Sequence, residues 1–166
     1  MLKEILLCKD NDWNLHIFIN SINTIRSIVK QIPSEIAYRT ICSKEAAGKD
    51  TRLGGTLNVS EITSPIKKIN FYTATAFEGV DIYDPKGKTI IVSDTQIAQT
   101  LVDISTLMIQ ICGRLRDSIY KDSALFICNT NNHRYMKYKS ENEFKVDLGN
   151  DLYFKGFIDK LMIKED

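Results

Sequence analysis

The chain has 166 residues, 43% of them hydrophobic, enough for one domain with a real core and too apolar for a disordered chain. Its 22 basic and 21 acidic residues leave a formal charge of +1, so no global field draws it to nucleic acid or membrane. Any contact with a polyanion then depends on local geometry.

No run approaches about 18 apolar residues, the length a membrane-spanning helix needs, and with Lys3 and Glu4 before Ile5, Leu6 and Leu7 a secretory signal is not expected here. Cys8, Cys42, Cys112 and Cys128 show no CxxC spacing, and with only His16 and His133 they form no metal-ligand set. Each lies in or beside an apolar run. That reads as buried free thiols in a reducing cytoplasm.

In chain order, Leu15 to Ile19 reads as a β-rich strand, and Asn20 and Ser21 stand where a helix would be capped. Ile22, Ile25, Ile28, Val29 and Ile32 recur at threes and fours, an amphipathic helix that Pro33 closes. Ile36 to Cys42 reads as a second strand. From Ser43 to Asn58 the pattern fails around Gly48, Gly54 and Gly55, so a loop is expected. A third strand lies within Ile66 to Thr73, and a fourth spans Thr89 to Ser93 after the turn signal Asp84-Pro85-Lys86-Gly87.

Asp103 then caps a helix expected to run to about Ser118, apolar at Leu107, Ile111 and Leu115 and at Met108, Cys112 and Ile119. Ala124 to Cys128 is the next strand. Strands alternating with helices imply βα units and a mostly parallel sheet. In such sheets ligands gather beyond the strand carboxyl ends. Those ends carry Asn20, Ser21, Ser43, Thr73, Thr75, Asp94 and Asn129. Asn150 to Met162 closes the chain as an amphipathic helix with Phe154, Ile158 and Leu161 on one face.

A self-sufficient ATPase is not expected. Gly48-Lys49 lacks the upstream glycine of a phosphate loop, and Asp50 follows in place of a hydroxyl residue. A GxSxG elbow is missing, and neither histidine has an evident partner, so His16 is expected to be packed or exposed and not a base.

Two segments carry a sharper signal. In Phe71 to Asp84, FYTATAFEGVDIYD, a strand ends in two threonines, and Gly79 permits a positive φ or a close approach two residues before Asp81. The bland alternative is a tight loop in which Asp81 caps neighbouring amides. In Gln110 to Ser118, QICGRLRDS, Gln110 and Arg114 share a helical face, Gly113 allows another segment to come near, and an arginine fork suits phosphate. The alternative is a solvated helix end, with Arg114 and Arg116 paired to Asp117 or to the helix carboxyl terminus.

In this order the segments resemble the second RecA-like lobe of superfamily 2 helicases and translocases, over roughly Leu15 to Cys128. Leu15 to Ser21 is similar to motif IV, Thr73 to Asp81 to motif V, and Gln110 to Arg116 to motif VI, in the form written by the herpesvirus origin-binding helicase branch. The resemblance implies a three-layer RecA-like α/β domain spanning 1–166, with 131–166 as a C-terminal extension. It implies that Arg114, with Arg116, reaches the γ-phosphate of ATP, that Gln110 couples the lobes, and that Gly79 and Asp81 line the nucleotide cleft beside Arg114. Asn20, Ser21, Ser43, Thr73 and Thr75 would face a nucleic-acid backbone, positioning a strand without reading its sequence.

Motif VI more commonly spaces its last arginines three apart. Here Arg114 and Arg116 are separated by two, about 200° on a regular helix. Either the helix ends near Gly113, or Arg114 is the sole finger. Walker A and the acidic magnesium box belong to a first lobe, so ATP with magnesium is expected only in the two-lobe protein, with single-stranded DNA or RNA as the other partner.

The stretch Arg134, Tyr135, Lys137, Tyr138 and Lys139 suits either stacked bases or a lysine-guarded strand edge. Two other classes stand beside the motor lobe. One is a non-catalytic binding or regulatory module of the same fold. The other is an unrelated α/β domain, which would leave Gly79 and Arg114 far apart rather than side by side at the strand carboxyl ends.

Overall fold

The computed structural model describes residues 1–43, 57–77, 79–94, 97–103 and 105–129. Contacts divide the chain into Met1–Asn129 and Thr130–Asp166, and the second unit lies outside the described residues. The expected helix at 150–162, the basic-aromatic stretch 134–139, His133 and most of the loop after Ser43 fall there or in 44–56.

Five strands, β1 (Asn14–Phe18), β2 (Tyr38–Ile41), β3 (Ile69–Tyr72), β4 (Gly87–Asp94) and β5 (Ala124–Asn129), form one sheet in the order β2-β3-β1-β4-β5. Every pairing is parallel. Helices α1 (Leu2–Asp10) and α2 (Ile22–Val29) place Ile5, Cys8, Ile25 and Ile28 on one sheet face, against Leu15, Ile17, Phe71 and Ile90. On the other face α3 (Leu107–Cys112) and the segment 76–82 bury Ile111, Phe77 and Ile82 against Phe18, Tyr72 and Ile91. This is a three-layer α/β domain of RecA-like architecture.

The layering follows from chirality. From β1 the chain steps outward to β2 through α2, whereas the step from β4 to β5 goes the opposite way through α3. Right-handed crossovers taken in opposite directions must lie on opposite faces. The winding therefore reverses about β1, and the ends of β3, β1 and β4 meet at the switch point.

Most boundaries agree with the sequence, but α3 starts at Leu107 with Thr106, not Asp103, at its cap position, and two further readings differ. The nine-residue α1 was not anticipated, because only Ile5 and Cys8 of it are buried. The helix expected to reach Ser118 stops at Cys112, capped by Gly113. Leu115 is buried through a parallel bridge to Ile82, and Ile119 is 78% exposed. A cross-chain pairing has outcompeted the helical continuation. The cysteines are free, but only Cys8 is buried; Cys42 and Cys112 are half-buried and Cys128 is exposed.

On the α3 side, a buried row of polar groups crosses the sheet. Arg39, Asn70 and His16 are register partners on β2, β3 and β1. His16 is fully buried and does have partners, which corrects the expectation of none: Nδ1 lies 2.9 Å from the Tyr72 hydroxyl and Nε2 lies 2.9 Å from Asp84 Oδ2. Arg39 donates from Nε to Asn70 Oδ1 at 2.7 Å and from its other nitrogens to the Tyr72 hydroxyl and the carbonyls of Ile62 and Ser64.

Burial depresses the His16 imidazole below its ordinary 6.5, against an opposing pull from Asp84. Burial by itself would raise the Asp84 carboxyl, but hydrogen bonds from His16, Asn14 and the Lys86 amide outweigh it and bring the group to about 2. Both groups therefore bind fewer protons folded than unfolded, and stability rises with pH. The His16 contribution is complete above pH 6.5 and is lost as pH falls through its lower folded value. That of Asp84 is complete above 3.8 and is lost towards about 2. Thermal melts should be level between neutrality and the onset of thiol ionisation towards 9.0, and should decline on acidification by at most about 1.4 kcal/mol per pH unit for each proton taken up. A melting temperature that climbs between neutrality and mild acid would contradict a buried neutral imidazole.

Candidate functional site

The carboxyl edge of the sheet is organised by Asn20. Its side chain donates to the Gln99 carbonyl at 2.8 Å and accepts from the Ala74 amide at 3.2 Å, joining the loops that follow β4 and β3. It thus stands at the switch point, half-buried. Ser21 is used otherwise. It caps α2, accepting from the Thr24 amide at 3.2 Å and hydroxyl at 2.9 Å, and is only 4% exposed.

Thr73 is also buried, its amide 3.0 Å and its hydroxyl 3.4 Å from the Ile41 carbonyl, so it fastens β3 to β2. Thr75, in the 3₁₀ turn Ala74–Ala76, is exposed, and Ser43 is half-buried after β2. Of the five residues expected to meet a nucleic-acid backbone, Thr75 is open to solvent and Asn20 and Ser43 partly so. Ser21 and Thr73 are turned to structural work. Further along the edge, Asn129 donates to Asp94 Oδ1 at 2.6 Å.

The motif V-like and motif VI-like segments meet. The Ile82 amide donates to the Arg114 carbonyl at 2.8 Å, and the Arg116 amide donates to the Ile82 carbonyl at 3.0 Å, flanking the Ile82–Leu115 bridge. The bridge makes the chain extended at Leu115, whereas Arg114 still belongs to the turn that closes α3, its amide donating to the Ile111 carbonyl at 3.0 Å. Leu115 points into the core at 3% exposure, and of the arginines on either side of it Arg116 is exposed and Arg114 half-buried. Of the two alternatives left open by the sequence, the helix ends at Gly113.

Asp81 and Tyr83 flank buried Ile82, and Tyr83 is 62% exposed. Arg116 Nε donates to Asp81 Oδ1 at 2.9 Å, so Asp81 pairs with an arginine and does not serve as an amide cap. Arg114 Nε donates at 2.9 Å to the backbone carbonyl of Gln110, on the last turn of α3. That bond is the helix-end contact of the bland alternative, and it leaves the terminal guanidinium nitrogens as further donors. Gly79 has φ +73, the left-handed region the sequence allowed for. Gly113 is different. A Cβ there would sit 3.5 Å from the Gln110 carbonyl, ordinary contact, so no close approach within the described residues requires glycine.

The strip does not lie at the strand carboxyl ends, where the motor-lobe resemblance placed Gly79 and Arg114, so that expectation is not met. Asn14, the first residue of β1, donates to Asp84 Oδ2 at 2.9 Å, and Leu115 Cδ1 would be 2.9 Å from a Cβ at Gly87, the first residue of β4. The arginines thus flank the α3-side face towards the amino ends, whereas Asn20 and Thr75 occupy the carboxyl edge. A separate concavity of about 300 Å³ opens on the α1 side, among Glu4, Leu15, Lys88, Tyr120 and Leu125. There the Lys88 ammonium stands 4.1 Å from the Trp13 ring centroid and 4.4 Å from that of Tyr120.

Tyr83, exposed beside the Asp81–Arg116 pair, was missed in the sequence although the Asp-Ile-Tyr-Asp alternation could have shown it. No protein-family model, curated protein or solved structure matches this chain.

Proposed function

We propose that this chain is the second RecA-like lobe of an ATP-dependent nucleic-acid helicase or translocase. In that role it supplies arginine fingers to an ATP-binding cleft completed by a first lobe. The observation that carries the reading is that the 114–116 segment is pinned to Ile82, with Arg116 paired to Asp81 and Arg114 held at the end of α3. An arginine's planar fork matches the oxygens of a polyphosphate.

When ATP and magnesium are bound, they supply the phosphoanhydride and the charge neutralisation. The first lobe would hold both, through its lysine and acidic box. Arg114 and Arg116 would then stabilise charge developing on the transferred phosphoryl group, and Gln110, through α3, would tie their position to lobe closure. The carboxyl edge, with Asn20, Thr75 and Ser43, would meet single-stranded DNA or RNA. Free cysteines, with burial holding the Cys8 thiol up at about 11, fit a reducing cytoplasm.

The 166-residue chain by itself is expected to bind single-stranded oligonucleotides weakly and to release no phosphate from ATP. A single lobe offers few phosphate contacts, and a charge of +1 adds no long-range attraction. Fluorescence titrations at several salt concentrations should show affinity falling steeply with ionic strength. Tight, salt-insensitive, sequence-selective binding would point instead to a dedicated recognition module. ATP turnover by the repurified chain would remove the need for a first lobe and refute the half-motor assignment.

A further inference from the structure

The buried hydrogen-bonded chain on the α3 side has a forced direction. Arginine can only donate and an ionised carboxylate can only accept. Arg39 therefore donates to the Tyr72 oxygen (3.3 Å), the Tyr72 hydroxyl donates to His16 Nδ1 (2.9 Å), and His16 Nε2–H donates to Asp84 Oδ2 (2.9 Å). Only one tautomer of a neutral imidazole completes this series. A proton on Nδ1 would set two donors, His16 and Arg39, against the Tyr72 hydroxyl and leave its proton without its acceptor.

Asp84 lies two residues beyond Ile82, to which the arginine segment is bonded. Its other oxygen accepts from the Lys86 amide at 3.1 Å, which shapes the turn into β4. The same turn is fastened to the segment after the arginines: the Ser118 hydroxyl donates to the Gly87 carbonyl at 2.5 Å, and the Ile119 amide to the Pro85 carbonyl at 3.2 Å. Gly87 makes room for the ring. A Cβ there would stand 2.8 Å from both His16 Cδ2 and Nε2, closer than packed atoms tolerate.

We propose that His16, as the neutral Nε2–H imidazole, is the positioning residue for the arginine strip: by holding Asp84 it seats the 82–87 turn on β1 and so sets where Arg114 and Arg116 stand. The charged and titratable groups facing the ring are Asp84 from the turn, Tyr72 from β3 and Arg39 from β2; β4 and the 113–118 segment present Gly87, Thr89 and Leu115. The consequence for phosphate rests on the lobe assignment above. The clamp itself can be tested without ATP or nucleic acid, so the two can fail separately.

Nitrogen-15 spectra of the imidazole in the 166-residue chain should show a proton on Nε2 and none on Nδ1, unchanged at pH 6.5, where a free histidine is half protonated. Amide hydrogen exchange should then be compared among wild type, His16→Phe and His16→Gln. Phe removes both polar atoms, whereas Gln can still donate to Asp84. With His16→Phe, exchange at the Ile82 and Arg116 amides should accelerate about tenfold more than at amides within β3, and His16→Gln should recover most of that difference. An Nδ1–H or doubly protonated ring in the wild type would overturn the proposal without any variant having to fold. So would acceleration at Ile82 and Arg116 that merely parallels β3.

Discussion

Replacing Arg114 with Ala in the two-lobe protein is expected to cut nucleic-acid-stimulated ATP turnover by on the order of 10³-fold or more. A finger that neutralises charge as it develops acts in the transition state, so affinity for ATP and for nucleic acid should fall much less than turnover. Arg114→Lys should rescue poorly, because the ammonium keeps the charge but loses the planar fork that matches two phosphate oxygens. The melting temperature should hardly move, since the side chain is partly exposed and its hydrogen bond is to the Gln110 carbonyl at the helix end.

The early end of α3 makes a second demand. Because α3 ends at Cys112, Arg116 is not held about 200° from Arg114 as on a continued helix, and Arg116→Ala should lose turnover on a comparable scale. A mild loss at Arg116 would mean that its pairing with Asp81 is structural and that Arg114 acts alone. Single-turnover kinetics on both variants, with melting curves alongside, decide the matter. If neither substitution slows an otherwise active two-lobe protein, the motif VI resemblance has no chemical content.

What was legible in the sequence was mainly local. The run Leu15 to Ile19 announced β1 through its β-rich composition, Ser21 announced a helix cap, and Asp84 to Gly87 announced a turn. The alternation of strands and helices was enough for a parallel sheet. What stayed hidden depends on partners distant in the chain. Leu107, Ile111 and Leu115 continue a helical spacing, and nothing nearby reveals that Ile82 will draw Leu115 into a bridge. The helix was therefore read too long.

His16 hid its role for the same reason. Its partners are 56 and 68 residues away, and periodicity says which face a strand residue occupies but not what waits there. The carboxyl-edge row could be located from strand ends, but exposure within it could not. Ser21 and Thr73 hold the same kind of hydroxyl as Thr75, and only packing shows that theirs are already used by a cap and a strand carbonyl.

The largest loss of stability from a single side chain is expected at Arg39. It is 2% exposed, and its guanidinium serves acceptors in several directions: Asn70 Oδ1, the Tyr72 hydroxyl and the Ile62 and Ser64 carbonyls. Arg39→Met keeps much of the apolar stem and removes every donor. The tyrosine oxygen and Asn70 Oδ1 then lose a partner in the core, the two carbonyls lose one at its edge, and the Asp84 carboxylate loses the cation at the far end of its chain.

Breaking a buried charged network from one side costs roughly 3–5 kcal/mol, a large share of the roughly 5–15 kcal/mol that holds a typical domain folded. Arg39→Lys should recover little, because one ammonium cannot reach acceptors that need a rigid fork. Urea unfolding should show a lower midpoint with an unchanged slope, the mark of lost stability rather than an altered denatured state. An Arg39→Met protein within about 1 kcal/mol of wild type would mean that water or a shifted Asn70 satisfies those acceptors. The row across β2, β3 and β1 would then be replaceable packing, and the forced direction of its hydrogen bonds would no longer govern how the turn before β4 is held.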